Sequence, residues 1–104
     1  MKLIEEIYEF IRANHLANSE CDFSRNWLNK SSRYYNMIKL TGRDASFDTL
    51  IRLSTNLQLR KNVYLQSNIQ EMRDMGGYIE ALDMKIHNAL KARSIAEAMS
   101  HRTV

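Results

Sequence analysis

The sequence predicts an all-α protein, and three observations carry that prediction. The 104 residues include no proline and only three glycines, so the chain has few obligatory breaks. Leu, Met, Ala, Arg, Lys, Glu and Gln are plentiful and β-branched residues sparse, which favours helix over sheet. Apolar residues also recur at helical spacing in every segment. The length suits one domain, or one small domain with an appendage, and an apolar fraction of 44% is enough to fill one modest core.

Leu3, Ile4, Ile7, Phe10 and Ile11 open the chain as an amphipathic helix, with Glu5, Glu6 and Glu9 on its other face and an end near Leu16. Asp22 is placed to cap a short second helix that buries Phe23, Trp27 and Leu28. Asn29-Lys30-Ser31-Ser32 is small and polar and reads as a turn ending in an N-cap. A third helix follows from Ser32 to about Leu40, with Tyr35 and Ile38 facing the core and Gly42 just past its end. Ser46 caps a fourth helix with the stripe Phe47, Leu50, Leu53 and Leu57, and Asp48 complements the dipole of its first turn.

From Leu59 onward the period changes. Met72, Ile79 and Ile86 fall on heptad a positions and Met75, Leu82 and Ala89 on d positions, a 3.5-residue repeat. Gly76-Gly77 interrupts it and predicts either a kinked long helix or two helices joined near Gly76. The repeat predicts a homodimer held by Met72, Met75, Ile79, Leu82, Ile86 and Ala89, the alternative being a stripe that packs back on the first helix. The organisation expected is one helical unit over residues 1–57 and a dimerisation segment over residues 58–104.

Several function classes are set aside by what is missing. No apolar run approaches a membrane span, and acids interrupt the N-terminus too early for a signal peptide. The single Cys21 forms no internal disulfide and fits a reducing cytosol, so a cytoplasmic protein is expected. His15, His87, His101 and Cys21 lie far apart without ligand spacing, so neither metal nor cofactor is expected. Paired carboxylates in a cleft, a Gly-rich phosphate loop and a nucleophile motif are all lacking, and the chain does not read as an enzyme.

The charge distribution points elsewhere. The net charge is only +3, but Lys30, Arg33, Lys39 and Arg43 stand in a stretch without acids, whereas residues 1–29 carry three cations against five acids. A local basic stretch suits a polyanionic partner. The second and third helices have the proportions of a helix-turn-helix. With Tyr35 and Ile38 inward, Ser32, Arg33 and Asn36 face outward at the start of the third helix. Arginine pairs bidentately with guanine and asparagine with adenine, so these three are the expected base contacts. Lys30, Lys39 and Arg43 flank them as phosphate contacts, and Ser24 and Ser46, near helix N-termini, offer hydroxyls to phosphate. Tyr34 either touches phosphate or covers the core.

The stretch Ser31-Ser32-Arg33-Tyr34-Tyr35-Asn36-Met37-Ile38-Lys39, continued by Ser46-Phe47-Asp48-Thr49-Leu50 through Leu57, resembles the lambda-repressor-like (Xre/Cro) family. In that family a serine opens the recognition helix, buried positions follow four and seven residues later (here Tyr35 and Ile38), and a basic loop leads to a capping serine and a Leu-x-x-Leu-x-x-x-Leu pattern. The family's small residue inside helix two matches Ser24. The resemblance covers residues 22–57 and implies a helix-turn-helix that binds double-stranded DNA, a transcriptional regulator of bacterial or phage type. The chain departs from the pattern in a turn one residue longer without its glycine, in Ala45 where proline is common, and in Lys39 where an acid is common. The core Phe23-Ser24-x-x-Trp27-Leu28 with Ser31-x-x-Tyr34-Tyr35 is also similar to that of a small uncharacterised phage or bacterial family, which implies no activity. A helical protein-interaction module without DNA binding is the alternative from another class.

Overall fold

The computed structural model describes residues 2–102; the side chains of residues 101 and 102, and with them His101, lie outside the described residues. The protein is all-helical, and no strand occurs among the described residues. Its elements are α1 (Leu3–Ala13), α2 (Glu20–Asp22) running directly into a π-helical turn (Phe23–Trp27), α3 (Tyr34–Thr41), α4 (Phe47–Leu65) and α5 (Gln70–Arg102). The chain forms two compact units, residues 1–56 and 57–104, and the division falls inside α4.

In the first unit α1 buries Ile4, Ile7 and Ile11 and ends where His15 takes a left-handed conformation, φ 60°. The Leu16 N–H then reaches back to the Ile11 carbonyl at 2.9 Å. The second helix starts earlier than the sequence suggests. Its cap is Ser19, whose Oγ accepts the Asp22 N–H at 3.1 Å, not Asp22. The Asp22 carboxylate instead accepts the Asn18 N–H at 2.8 Å, so the two side chains close both ends of the first turn. That N–H, then the Asn26 amide, holds the Asp22 carboxyl below its ordinary pKa.

The π-helical turn accommodates the extra residue noted in the sequence. The Leu28 N–H bonds to the Phe23 carbonyl at 3.2 Å, five residues back, and the Lys30 N–H bonds to the Ser24 carbonyl at 2.9 Å, six back. A single widened turn of this kind takes up one more residue than an α-turn. Asn29 then adopts φ 57°, the left-handed conformation that asparagine tolerates better than most side chains, and so replaces the missing glycine.

Helix α3 begins at Tyr34, two residues after the expected start at Ser32, because Ser31 to Tyr34 forms a turn closed by the Tyr34 N–H on the Ser31 carbonyl at 3.1 Å. Arg33 occupies the cap position without a side-chain cap bond. The bond comes from elsewhere: Ser24 Oγ accepts the Tyr35 N–H at 3.0 Å while donating to the Glu20 carbonyl at 2.9 Å. Gly42, at φ 71°, ends α3 as the sequence indicates. Ser46 caps α4 by accepting the Thr49 N–H at 3.2 Å.

The core of this unit is aromatic. Phe23 stands edge-on to Tyr8 at 5.1 Å and to Tyr35 at 5.3 Å between ring centroids. Leu28, Ile38, Leu50 and Leu53 are buried as the helical spacing requires, whereas Phe47 is only half-buried. The Asn56 amide donates to the Trp27 carbonyl at 2.8 Å, and the Trp27 indole N–H donates to the Leu16 carbonyl at 3.3 Å, which ties α4 and the end of α1 to the π-helical turn.

In the second unit α4 continues past Leu57 to Leu65, and α5 returns antiparallel to it. Leu65 lies against Gly76, and Gln58 donates to the Asp83 carboxylate at 3.0 Å. Helix α5 passes through Gly76-Gly77 without a break, so the expectation of two helices joined there is corrected. A Cβ on Gly76 would come within 2.8 Å of Leu65 Cδ2 and 3.3 Å of the Leu65 backbone nitrogen, whereas one on Gly77 would meet nothing within 4 Å. Gly77→Ala should therefore gain the full helix-propensity difference, about 0.5–1 kcal/mol. Gly76→Ala should gain less or lose, because Leu65 must move. Urea unfolding of the two variants beside the unsubstituted chain checks the difference.

The dimer expectation needs correction at its centre. Ile79, Leu82 and Ile86 are already buried in the single chain. Ile79 and Ile86 share the helical face of Gly76 and Asp83, which contact α4, so the heptad stripe is the inner seam of a hairpin. Of the remaining three residues, Met75 and Ala89 are half-buried and Met72 is exposed.

Candidate nucleic-acid interface

The expected base-contact residues sit at the start of α3. Tyr35 and Ile38 turn inward, and the opposite face carries Arg33, Asn36, Met37 and Leu40, all exposed. Ser32 is half-buried in the turn that leads into the helix. Arg33 has no ion-pair partner among the described residues, so its guanidinium is available. Asn36 is not equally free, since its amide lies 3.4 Å from the Glu20 carboxylate.

The expected phosphate contacts divide into four groups. Lys30 and Arg43 carry side-chain charges that meet no acid among the described residues. The Lys30 ammonium stands 5.6 Å from the centre of the Tyr34 ring, and the Arg43 carbonyl accepts the Lys2 ammonium at 2.6 Å. Lys39 is engaged: its ammonium is hydrogen-bonded to the Glu20 carboxylate, and it lies 5.7 Å from the Tyr35 ring centre. The bond to Glu20, more than the surrounding negative charge, raises its pKa.

Tyr34 and Ser46 form part of a hydroxyl cluster at the start of α4. Tyr34 OH is 2.9 Å from Thr49 Oγ1, which is 2.8 Å from Ser46 Oγ, and the Ser46 N–H points at Tyr34 OH from 3.5 Å. Burial alone would raise the Tyr34 phenol; the bonds from Thr49 and Ser46, aided by the Lys30 charge, outweigh it and leave the pKa lowered. In Tyr35 the balance runs the other way, with burial and then the nearby Glu5 and Glu20 charges raising it.

Ser24 is a correction. It was expected to offer its hydroxyl to phosphate, but it is fully buried, and its Oγ is committed to the Glu20 carbonyl and the Tyr35 N–H. The reason is the position of the π-helical turn, which sets Ser24 against α3 and away from solvent.

The structure also gathers residues that the sequence reading did not single out. A cavity of about 480 Å³ lies between the 28–30 turn and the first half of α4, lined by Leu28, Asn29, Lys30, Asp48, Ile51, Arg52 and Thr55. The four α4 residues recur at spacings of three and four, which was the available signal; their neighbours from the turn come from a distant segment. Cys21, immediately after Glu20 on α2, is exposed. Among the described residues no His, Cys, Asp and Glu side chains gather into a set able to hold a metal ion, and no helix is long and apolar enough to cross a membrane.

A family model described as a family of unknown function (DUF6626) matches residues 4–99, nearly the whole chain. The chain belongs to this family. The match runs through both units, so the DUF6626 unit includes the α4–α5 hairpin as well as α1 to α3. Neither the curated proteins nor the solved structures give a match.

Proposed function

We propose that this DUF6626 protein binds double-stranded DNA through α3 as a helix-turn-helix of the lambda-repressor-like kind, in a bacterial or phage transcriptional regulator. The observation that carries the proposal is the outward face of α3, with Arg33 exposed and without an ion-pair partner among the described residues, Asn36 exposed at the helix start, and Lys30 and Arg43 flanking the helix. A helix of this kind makes its base contacts near its N-terminal end. Met37 and Leu40 on the same face supply apolar surface suited to thymine methyl groups. Pairing of two copies would read two half-sites. Apolar surface left exposed for pairing includes Met84, Ile95 and Met99, which share one face of α5, and Leu59 and Val63 on α4.

Titration of a selected duplex and a scrambled duplex at two salt concentrations tests the reading. Arg33→Ala is expected to cost about 1–3 kcal/mol on the selected site and little on the scrambled one. Lys30→Ala or Arg43→Ala should weaken both alike and reduce the salt slope by about one. Glu20→Gln should tighten both, since it releases Lys39 and Asn36 from the carboxylate. Two chains bound per palindromic duplex checks the pairing. Equal losses on both duplexes for Arg33→Ala would show that α3 does not read bases.

A second reading is favoured by one feature. Leu40 is 76% exposed and Met37 49%, an apolar pair in the middle of the proposed reading face. A protein partner would bury that pair. Absence of duplex binding by the unsubstituted chain at low salt, together with a partner whose capture is lost in Leu40→Glu, would select the protein-interaction module.

A further inference from the structure

The geometry points to a second binding site, the cavity between the 28–30 turn and α4, for a small organic phosphate of mononucleotide size held through its phosphate by Lys30 and Arg52. It stands whether or not α3 reads DNA. At about 480 Å³ the cavity has the size of a small-ligand site and is too small for a folded partner. Its charge is unbalanced: Lys30 comes from one wall and Arg52 from the other, against the single carboxylate of Asp48. Two cations from opposite walls suit a dianion better than a monocarboxylate. The five guanidinium and three ammonium donors, with the Asn29 amide, suit the three acceptor oxygens of a phosphate monoester, while the Thr55 hydroxyl donates to the Ile51 carbonyl at 3.0 Å.

The α4 wall also orders the rest of the ligand. Asp48, Ile51 with Arg52, and Thr55 succeed one another along one helical face, giving an acceptor, then apolar surface beside a cation, then a hydroxyl. Asp48 repels the phosphate from its own end and accepts N–H groups there. Ile51, 53% exposed, offers its side chain to a flat apolar body between them. A ligand with a phosphate at one end, an apolar ring and an N–H donor fits this order. The opposite wall is preformed. Asn29 is fixed in its left-handed conformation, and the Lys30 N–H is bonded to the Ser24 carbonyl at 2.9 Å. A wall that is already ordered loses little freedom on binding.

The test is a titration of the isotopically labelled full chain, followed by NMR, with ribonucleoside monophosphates, the matching nucleosides and inorganic phosphate. At least one monophosphate should shift the amides of residues 28–30 and 48–55. The matching nucleoside should bind weaker by about tenfold or more, and Arg52→Gln and Lys30→Gln should each weaken the monophosphate by about tenfold, the loss of one charge-assisted bond. No shifts at these amides, equal binding of the nucleoside, or unchanged binding in both variants would overturn the site. Inorganic phosphate binding as tightly as every monophosphate would overturn the organic body. Arg52→Gln should leave duplex binding intact; its loss together with nucleotide binding would make the cavity part of the DNA surface and overturn a separate site. Failure of the unsubstituted chain to bind duplex would sink the DNA reading and leave the nucleotide result standing.

Discussion

Phe23→Ala is expected to destabilise the first unit by about 3–5 kcal/mol, a large share of the 5–15 kcal/mol that typically holds a small domain together. Phe23 is fully buried at the start of the π-helical turn, edge-on to both Tyr8 and Tyr35. Its removal leaves a cavity bordered by α1 and α3 and also withdraws two favourable ring contacts. The neighbours cannot close in cheaply, because the turn around Phe23 is pinned by the Leu28 and Lys30 N–H groups. Phe23→Leu, which refills most of the volume, should recover more than half of the loss. Urea unfolding monitored by the single tryptophan, Trp27, in this same turn, checks it. A loss below about 1 kcal/mol, the level of a surface change, would mean that the aromatic cluster does not hold the unit together.

The second large effect concerns Ser24. Ser24→Ala leaves the Tyr35 N–H, at a buried helix start, without its acceptor, and an unsatisfied buried donor costs about 1–3 kcal/mol. Ser24→Leu adds overpacking of about 1–3 kcal/mol on top, since the residue is fully enclosed, and should leave the first unit largely unfolded at ambient temperature. Amide exchange separates this account from a plain packing defect. In Ser24→Ala the Tyr35 amide should exchange faster than those of residues 38 and 41 on the same helix. Uniform protection along α3 would show that the serine only fills space.

The helical class, the inward faces of α1, α3 and α4, the Ser46 cap and the Gly42 stop were legible because each depends on residues within one turn of one another. What was not legible depends on distance in sequence or on a change of helical pitch. The apolar period does not register one widened turn, so the extra residue before α3 read as a longer loop, and Ser24 read as a surface hydroxyl near a helix start. The heptad of Ile79, Leu82 and Ile86 is the same pattern whether its partner is a second chain or an antiparallel neighbour in the same chain; their burial in the single chain, with the Leu65–Gly76 and Gln58–Asp83 contacts, decides. At the candidate interface the outward placement of Arg33 and Asn36 followed from spacing. The pairing of Lys39 with Glu20, nineteen residues away, did not. Arg52 escaped notice because its significance comes from the turn opposite.

The exposed position of Cys21 makes the chain a ready-made optical probe of its own α2–α3 face. It is the chain's one cysteine, so a maleimide fluorophore goes to a single place without any residue being added or removed. That place adjoins Glu20, the carboxylate that holds Lys39 and Asn36, so a dye there would register whatever draws those two side chains away. A change in emission on adding duplex, and none on adding a mononucleotide, would tell occupancy of α3 from occupancy of the cavity in one cuvette.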